Sequence, residues 1–217
     1  MNPNKMNKQD ILLIGGGGHC LSCIDVIEQG GQYRIAGIVD LPEKRGSFVL
    51  GYPVVGNDDD IARLAKDCPN FLITLGQIRS AAGRRKIYER VKLAGGNLPV
   101  VVSPHAYVSP RAQLDEGSVV MHHALVNSGA HIGHCCIINS KALIEHEARI
   151  GAFCHISTAA CINGQVCVGE HCFIGSNTVI GNNLEITDHC TVAAGSQVLK
   201  NILRPGVYLG HPLRKIE

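Results

Sequence analysis

The chain has 217 residues, 45% of them hydrophobic, which is enough for one large domain or two small ones. Its net charge of only +2 argues against the basic surface that nucleic-acid binding needs, and the absence of Trp argues against a base-stacking surface. No apolar stretch reaches membrane-spanning length, so we expect no membrane association and a cytoplasmic location.

In chain order, residues 1–98 alternate strands and helices, which predicts a small Rossmann-like α/β domain around a parallel sheet. Apolar runs indicate four strands, of which one is a short edge strand, and three longer segments indicate helices. The predicted elements are the strands Ile11–Ile14, Arg34–Asp40, Tyr52–Val55 (edge) and Phe71–Leu75 and the helices Cys20–Gln29, Asp58–Cys68 and Ile78–Ala94.

The glycine turn Gly15–Gly18 joins the first strand to a helix, so its backbone N–H groups and the helix dipole could meet a phosphate. The full G-x-G-x-x-G spacing is absent, because Cys20 stands where a third glycine would fall. Asp40 ends the second strand, where dinucleotide-binding folds place a ribose-binding carboxylate. A plain structural turn would explain the glycines alone, but His19 and Asp40 together favour a nucleotide diphosphate.

From Val108 to Val198, every sixth residue is Val, Leu or Ile, at sixteen positions without exception. A six-residue period is typical of a parallel β-helix, in which each coil is buried against its neighbours. Three hexapeptides make a coil, so the pattern predicts about five coils between Tyr107 and Asn201. We therefore assign residues 99–217 to a β-helix domain whose tail, Ile202–Glu217, is too rich in Pro and Gly for another regular coil.

Four of the ten cysteines, Cys136, Cys154, Cys172 and Cys190, are spaced 18 residues apart. Each stands two positions before a repeat aliphatic, so the four should stack in one column that requires small inward side chains. No C-x-x-C pair with a matching partner occurs, and a reducing cytosol keeps thiols free. Packing is therefore the favoured interpretation of these cysteines, and a metal or redox role is the alternative.

His146 lies two positions after the repeat aliphatic Ile144, where a side chain need not pack into the core. Its imidazole could act as the general base for an amine or hydroxyl that attacks a thioester. The adjacent Glu147 could orient the ring, although sequence alone does not decide whether the carboxylate reaches it. A solvated polar turn is the alternative, since eight of the eleven histidines lie in the repeats.

A β-helix zinc hydratase of carbonic-anhydrase type is a rival hypothesis, because such an enzyme would hold zinc through histidines. His122, His134 and His146 are 12 residues apart, two thirds of a coil, so they should lie on three different sides and not converge within one chain. His171 and His189 are 18 apart and should stack, but two ligands are too few. We therefore expect no metal.

Several segments together resemble a known family: Gly-Gly-Gly-Gly-His, Ile-Val-Asp, Thr-Leu-Gly before a basic helix, and Ile-Glu-His-Glu within the hexapeptides. They resemble the bacterial nucleotide-sugar N-acetyltransferases that acetylate the 4-amino group of 4-amino-4,6-dideoxy sugars, and the related sialic acid O-acetyltransferases. The resemblance covers about residues 11–213. It implies a homotrimer of left-handed β-helices, with acetyl-CoA between subunits and direct acetyl transfer that serves polysaccharide or glycan synthesis.

The resemblance also implies roles for individual residues. His146 would be the general base, Glu147 would orient it, and Asn139 would lie near the reacting amine. For the other ligands it implies His155, Ser176 and Ala194 along acetyl-CoA, and Gly17, Gly18, His19, Asp40 and Gly76 around the nucleotide sugar.

Some points stay open at this stage. Leu41 follows Asp40 where some UDP-sugar members have a second Asp, so the base could be uracil, guanine or thymine. Arg214 and Lys215 could meet cofactor phosphates or be solvated. Glu147 favours an amine acceptor, since Gly often follows the histidine in the sialic acid group. O-acetylation of a sialic-acid-like sugar, and a non-catalytic nucleotide-sugar sensor, are the remaining alternatives.

Overall fold

The computed structural model describes residues 8–210, which divide into two compact units. The first unit runs to Gly76 and resumes over Ala82–Pro104, and the second comprises Gln77–Ala81 and the chain from His105 onward. None of the helices that the structure describes is both long and apolar enough to cross a membrane.

The first unit is built on a five-stranded sheet in the order β3-β4-β2-β1-β5, parallel throughout except for the β3–β4 hairpin. Its core is the buried segment Ile11–Ile14 of β1 together with the inner faces of the helices, so the expected Rossmann-like fold is confirmed. The elements are β1 Gln9–Ile14, α1 Gly18–Gly30, β2 Tyr33–Val39, β3 Phe48–Val49, β4 Tyr52–Gly56, α2 Ile61–Asp67, β5 Phe71–Ile73, α3 Ala82–Leu93 and β6 Val101–Val102, with 3₁₀ turns at Pro42–Lys44 and Asp58–Asp60.

Two local predictions for this unit are wrong. β4 is not the sheet edge, because Phe48–Val49 pairs antiparallel with it through a tight turn at Gly51 (φ 84°). α3 begins at Ala82 and not at Ile78. The side-chain amide of Gln77 donates to the carbonyl of Phe153 (2.7 Å), and this bond holds the start of residues 77–81 away from a helical path. A two-residue strand and a long-range anchor leave little signal in local sequence.

The second unit is a left-handed parallel β-helix, as expected, with two- or three-residue strands stacked into three parallel sheets. We call these sheets face 1, face 2 and face 3 in the order in which the chain first meets them. Face 1 contains Tyr107–Val108, Leu125–Val126, Leu143–Ile144, Cys161–Ile162, Val179–Ile180 and Gln197–Val198; face 2 contains Gln113–Leu114, His131–Ile132, Arg149–Ile150, Cys167–Val168 and Glu185–Ile186; face 3 contains Val119–Val120, Ile137–Ile138, His155–Ile156, Phe173–Ile174, Cys190–Val192 and Gly206–Tyr208.

The 18-residue coil is visible in the strand register, in which Leu125 pairs with Leu143 and Leu143 with Cys161. The repeat aliphatics form one continuous core; Ile144, for example, is fully buried. In the two-residue strands from Tyr107 onward, the second residue therefore points inward and the first lies on the outside. Because each coil supplies the core of the next, the period alone predicts the architecture.

The tail adds a partial coil: it pairs with the last coil on faces 2 and 3 and, within the described residues, forms no further strand on face 1. Ile202 pairs with Ile186, and Gly206–Tyr208 runs parallel to Cys190–Val192. The last coil would otherwise expose unpaired backbone groups at the sheet edge, and the tail satisfies them. Thr187 N, for example, donates to the carbonyl of Ile202 at 2.8 Å.

Candidate active site

Asp40 follows β2 at the carboxyl edge of the first sheet. Its carboxylate accepts hydrogen bonds from the backbone N–H of Gly16 (2.9 Å), the backbone N–H of Leu41 (2.8 Å) and Lys44 Nζ (2.9 Å). Burial alone would raise the pKa of Asp40, but the Lys44 ammonium and the two backbone donors outweigh it and hold the pKa below its usual value. The glycine turn is thereby tied to a charged and oriented carboxylate.

The other four residues predicted for the nucleotide sugar also lie at this edge. Gly17 is the N-cap of α1, and Gly17 and Gly18 are exposed, with open space where side chains would stand. A Cβ on Gly76, just beyond β5, would lie 3.8 Å from the Cβ of His19. The accessible N-terminus of a 13-residue helix is thus flanked by His19 and Gly76, which is an arrangement suited to a phosphate.

A cavity of about 400 Å³ opens beside these residues at the carboxyl ends of β1 and β2. Open α/β sheets bind ligands in this position. Its charged and polar lining residues beyond Asp40 are Asn57, Asp58, Asp59, Lys86 and Arg90, while the apolar walls include Ile14, Leu75 and Ile87. Sequence reasoning missed these residues, because they come from the turn before α2 and from α3 and form no motif.

His155 and Asn139 form a connected pair in the β-helix. His155 Nδ1 lies 2.6 Å from the backbone oxygen of Gln77, which can only accept, so Nδ1 carries the proton. Nε2 lies 3.1 Å from Asn139 Nδ2 and accepts from it in the neutral ring. His155 is 7% exposed, so the structure shows it as a buried residue that supports the Asn139 amide. Sequence reasoning also missed Gln77 as a partner.

Asn139, Ser176 and Ala194 lie on the corner of the β-helix that joins face 3 to face 1. Ser176 and Ala194 take the same turn position on successive coils, and Gly195 N donates to the carbonyl of Ser176 at 2.8 Å. Ser176 Oγ lies 2.9 Å from Ser157 Oγ. Ala194 is exposed, so this corner offers small side chains and backbone groups along the coil axis.

His146 is exposed on a different corner, between face 1 and face 2. Its backbone N–H donates to Glu145 Oε2 (3.1 Å), and Glu145 in turn accepts from Asn127 Nδ2 (2.9 Å). The structure does not bring Glu147 to the imidazole as expected. Glu147 takes the left-handed turn position (φ 58°), and its carboxylate accepts from Gln165 Nε2 on the next coil (2.7 Å).

The remaining histidines agree with the predicted coil geometry. His122, His134 and His146 lie on three different corners, and His171 stacks on His189 with ring centroids 4.8 Å apart. Within residues 8–210, no group of three or more His, Cys, Asp or Glu side chains is arranged to hold a metal ion. Arg214 and Lys215 lie outside the described residues.

Two family models match the chain. The PglD N-terminal domain matches residues 10–91, and the bacterial transferase hexapeptide model (six repeats) matches residues 166–200. A search of the curated proteins found no match. The two matched segments fall in the first unit and in the β-helix, respectively.

Solved structures match nearly the whole chain. A variant of perosamine N-acetyltransferase from Caulobacter crescentus, in complex with CoA and GDP-perosamine, has a TM-score of 0.87 and 31% identity, with 94% of each chain covered. The acetyltransferase domain of PglB from Neisseria gonorrhoeae, in complex with acetyl coenzyme A, has a TM-score of 0.86 and 29% identity, covering 94% of this chain and 98% of its own. WeeI from Acinetobacter baumannii, at 18% identity and a TM-score of 0.70, shares the fold.

The similarity to perosamine N-acetyltransferase extends over both units, so it includes the cavity beside Asp40 as well as the β-helix corners. The Caulobacter crescentus and Neisseria gonorrhoeae proteins are both acetyltransferases, and their structures contain CoA or acetyl-CoA, the cosubstrate expected from the sequence. The chain therefore belongs to the hexapeptide-repeat family of nucleotide amino-sugar acetyltransferases.

Proposed function

We propose that this chain transfers the acetyl group of acetyl-CoA to the 4-amino group of a nucleotide-linked 4-amino-4,6-dideoxy sugar. The observation that carries the proposal is the 31% identity, over 94% of the chain, to an enzyme solved with CoA and GDP-perosamine. The crevice beside Asp40 and the exposed imidazole of His146 supply the two chemistries that such a reaction needs, a nucleotide site and a base.

His146 is the proposed general base. It takes a proton from the neutral amine as the nitrogen attacks the thioester carbonyl, so that a C–N bond forms and the C–S bond breaks. The departing thiolate of CoA then takes up a proton, and no covalent enzyme intermediate is needed. Asn139, whose amide is fixed by His155 and by the backbone N–H of Ser140, is proposed to position the amine.

The proposed binding sites follow from the same geometry. The N–H groups at Gly17 and Gly18 would meet the diphosphate, with His19 and Gly76 beside it. The Asp40 carboxylate would accept hydrogen bonds from the ribose through lone pairs that are not already used within the protein. The nucleotide base would enter the adjacent cavity. The small residues of the Ser176 and Ala194 corner would accommodate the pantetheine arm, with its thioester end near His155.

We propose a homotrimer that assembles through face 1. The outward residues of face 1 are mostly apolar, whereas those of face 2 are mostly polar. The outward residues are Tyr107, Leu125, Leu143, Cys161, Val179 and Gln197 on face 1, and Gln113, His131, Arg149, Cys167 and Glu185 on face 2. Exposed apolar columns of this kind favour protein contact.

A three-fold arrangement would also complete the site. His146 and Asn139 lie on the two corners that flank face 1, so they are separated within one chain. A heterologous contact between identical subunits places one corner of a protomer against the other corner of its neighbour. The imidazole of one protomer would then meet the Asn139 amide of the next.

We assign the reaction to the cytoplasm. All ten cysteines are free thiols, as is usual in a reducing compartment, and acetyl-CoA is available there. The product would enter the synthesis of a surface polysaccharide or a glycan.

A thiol-release assay tests the proposed function. Purified protein would be given acetyl-CoA with GDP-, UDP- or dTDP-linked 4-amino sugars, or with a free nonulosonic acid, and the products identified by mass spectrometry. N-acetylation of a nucleotide sugar supports the proposal. O-acetylation of the nonulosonic acid, nucleotide-sugar binding without thiol release, or stoichiometric zinc with hydratase activity would each contradict it and identify one of the alternatives.

The variant His146→Ala tests the base. We expect kcat to fall by roughly 10²-fold or more, the usual contribution of a positioned base, with the trimer intact. His131→Ala, on the polar face 2 beside Asp115, is the matched control and should keep normal turnover. Near-normal turnover of His146→Ala would show that another group accepts the proton.

A further inference from the structure

Gly164 stands one coil after His146, in the same column of the β-helix. The backbone ladder is regular here, because Gln165 N donates to the carbonyl of His146 (3.0 Å) and Asn183 N to the carbonyl of Gly164 (3.0 Å). Gly164 does not have the positive φ that would demand glycine. Ser128 and Asn182 take the same position on other coils, so the backbone itself accepts a side chain.

The imidazole of His146 occupies the space that a side chain at Gly164 would need. A Cβ on Gly164 would lie 2.7 Å from Nε2 and 2.9 Å from Nδ1, and it would press directly on Cε1. At other β-helix glycines, such as Gly151 and Gly175, a Cβ would meet the backbone of the next coil. At Gly164 the three nearest atoms all belong to the imidazole, so this glycine provides room for the ring.

Hydrogen bonds do not orient the ring within the described chain. The Glu147 carboxylate is bonded to Gln165, the Glu145 carboxylate is bonded to backbone and Asn127, and the ring nitrogens bond to no residue among 8–210. The imidazole instead lies in the space that a side chain on Gly164 would occupy. Gly164 is itself buried.

We propose that Gly164 is a positioning residue for the reaction: its missing side chain allows the His146 imidazole to lie against the following coil. The inference rests on the proposed role of His146 as the base. A methyl group at position 164 would displace the ring, because the ring ends a side chain that can rotate whereas the β-helix backbone is held by its ladder. A base displaced by about 1 Å can lose on the order of 10²-fold in rate.

The test is Gly164→Ala, measured by steady-state kinetics. We expect kcat to fall about 10- to 100-fold while the KM values change little, because the base moves and the binding groups do not. Gly181→Ala is the matched control. It is another β-helix glycine without a positive φ, and its Cβ would make only ordinary contacts of 3.5 Å. Unchanged kcat in Gly164→Ala would overturn the inference.

The double variant His146→Ala/Gly164→Ala separates this inference from the proposed function. Without the imidazole there is nothing to displace, so adding Gly164→Ala should not lower the residual kcat of His146→Ala further. Any melting-temperature loss in Gly164→Ala should also be recovered in the double variant. A further loss of kcat in the double variant would overturn the inference alone. Normal activity of His146→Ala would overturn the base assignment and this inference with it.

Discussion

Single side chains in this protein take their chemical state from backbone groups beside them. The carbonyl of Gln77 fixes the proton of His155 on Nδ1, which directs Nε2 toward the Asn139 amide. The Asp40 carboxylate is held by two backbone N–H groups and by Lys44. His19 and Asp40 could be singled out from the sequence because one follows the glycine turn and the other follows a strand, whereas the backbone partner of His155 comes from 78 residues away.

The variant Asp40→Asn tests the carboxylate at the carboxyl edge. Because the folded pKa of Asp40 lies below its unfolded value, the carboxylate stabilises the fold above the unfolded pKa, and this contribution is lost as pH falls through the folded pKa. Asp40→Asn should therefore lower the urea midpoint at pH 7, and the difference from wild type should shrink as the pH is lowered toward 3. Asp67→Asn, an exposed carboxylate on α2, is the control. A difference that does not vary with pH would contradict the assignment.

Corners of the β-helix use two kinds of hydrogen bonding. On the corner before face 1, the turn closes on itself, as where Ala160 N donates to the carbonyl of Ser157 (3.1 Å). On the corner before face 3, a thiol connects successive coils: Cys154 Sγ donates to the carbonyl of Gly169 (2.9 Å) and accepts from Cys172 N (3.4 Å). The predicted packing column is confirmed, but its cysteines are also hydrogen-bonding groups.

The pair Cys154→Ala and Cys154→Ser tests this second role. Alanine fills the slot but leaves the part-buried carbonyl of Gly169 without its donor, so we expect a loss of about 1 kcal/mol in the free energy of unfolding. Serine should be tolerated better, because Ser118 makes the equivalent bonds at 2.8 and 2.9 Å one coil before Cys136. Urea unfolding is the measurement. Equal stability of the two variants would show that the cysteines contribute to stability through packing alone.

Elements differ in how much of them can be predicted. The β-helix strands follow from a local period, because each coil needs an aliphatic residue at every inward position. The start of α3 and the pairing of Ile202 do not follow, since both depend on partners elsewhere in the chain: Gln77 on Phe153, and Ile202 on Ile186.

At the scale of the whole molecule, the trimer interface that we propose on face 1 would link assembly to chemistry, because the residues proposed for catalysis lie on the corners at its two sides. Leu143→Arg places a charge in the apolar column of this face. We expect the trimer to dissociate in native mass spectrometry and kcat to fall with it, while the β-helix stays folded. Cys167→Arg, at the equivalent strand position on face 2, should leave both unchanged. A trimeric and active Leu143→Arg variant would show that face 1 is not the interface.

The sequence by itself determined the architecture and the family resemblance, because a six-residue period and a glycine turn after a strand are local patterns with one favoured structure. Only the tertiary structure decided the neighbours of the proposed base. The Glu147 carboxylate accepts a hydrogen bond from Gln165, and the imidazole of His146 lies beside Gly164; each partner is one coil away. Those contacts join residues 18 positions apart, and side-chain direction at each corner depends on a turn conformation that the hexapeptide period does not specify.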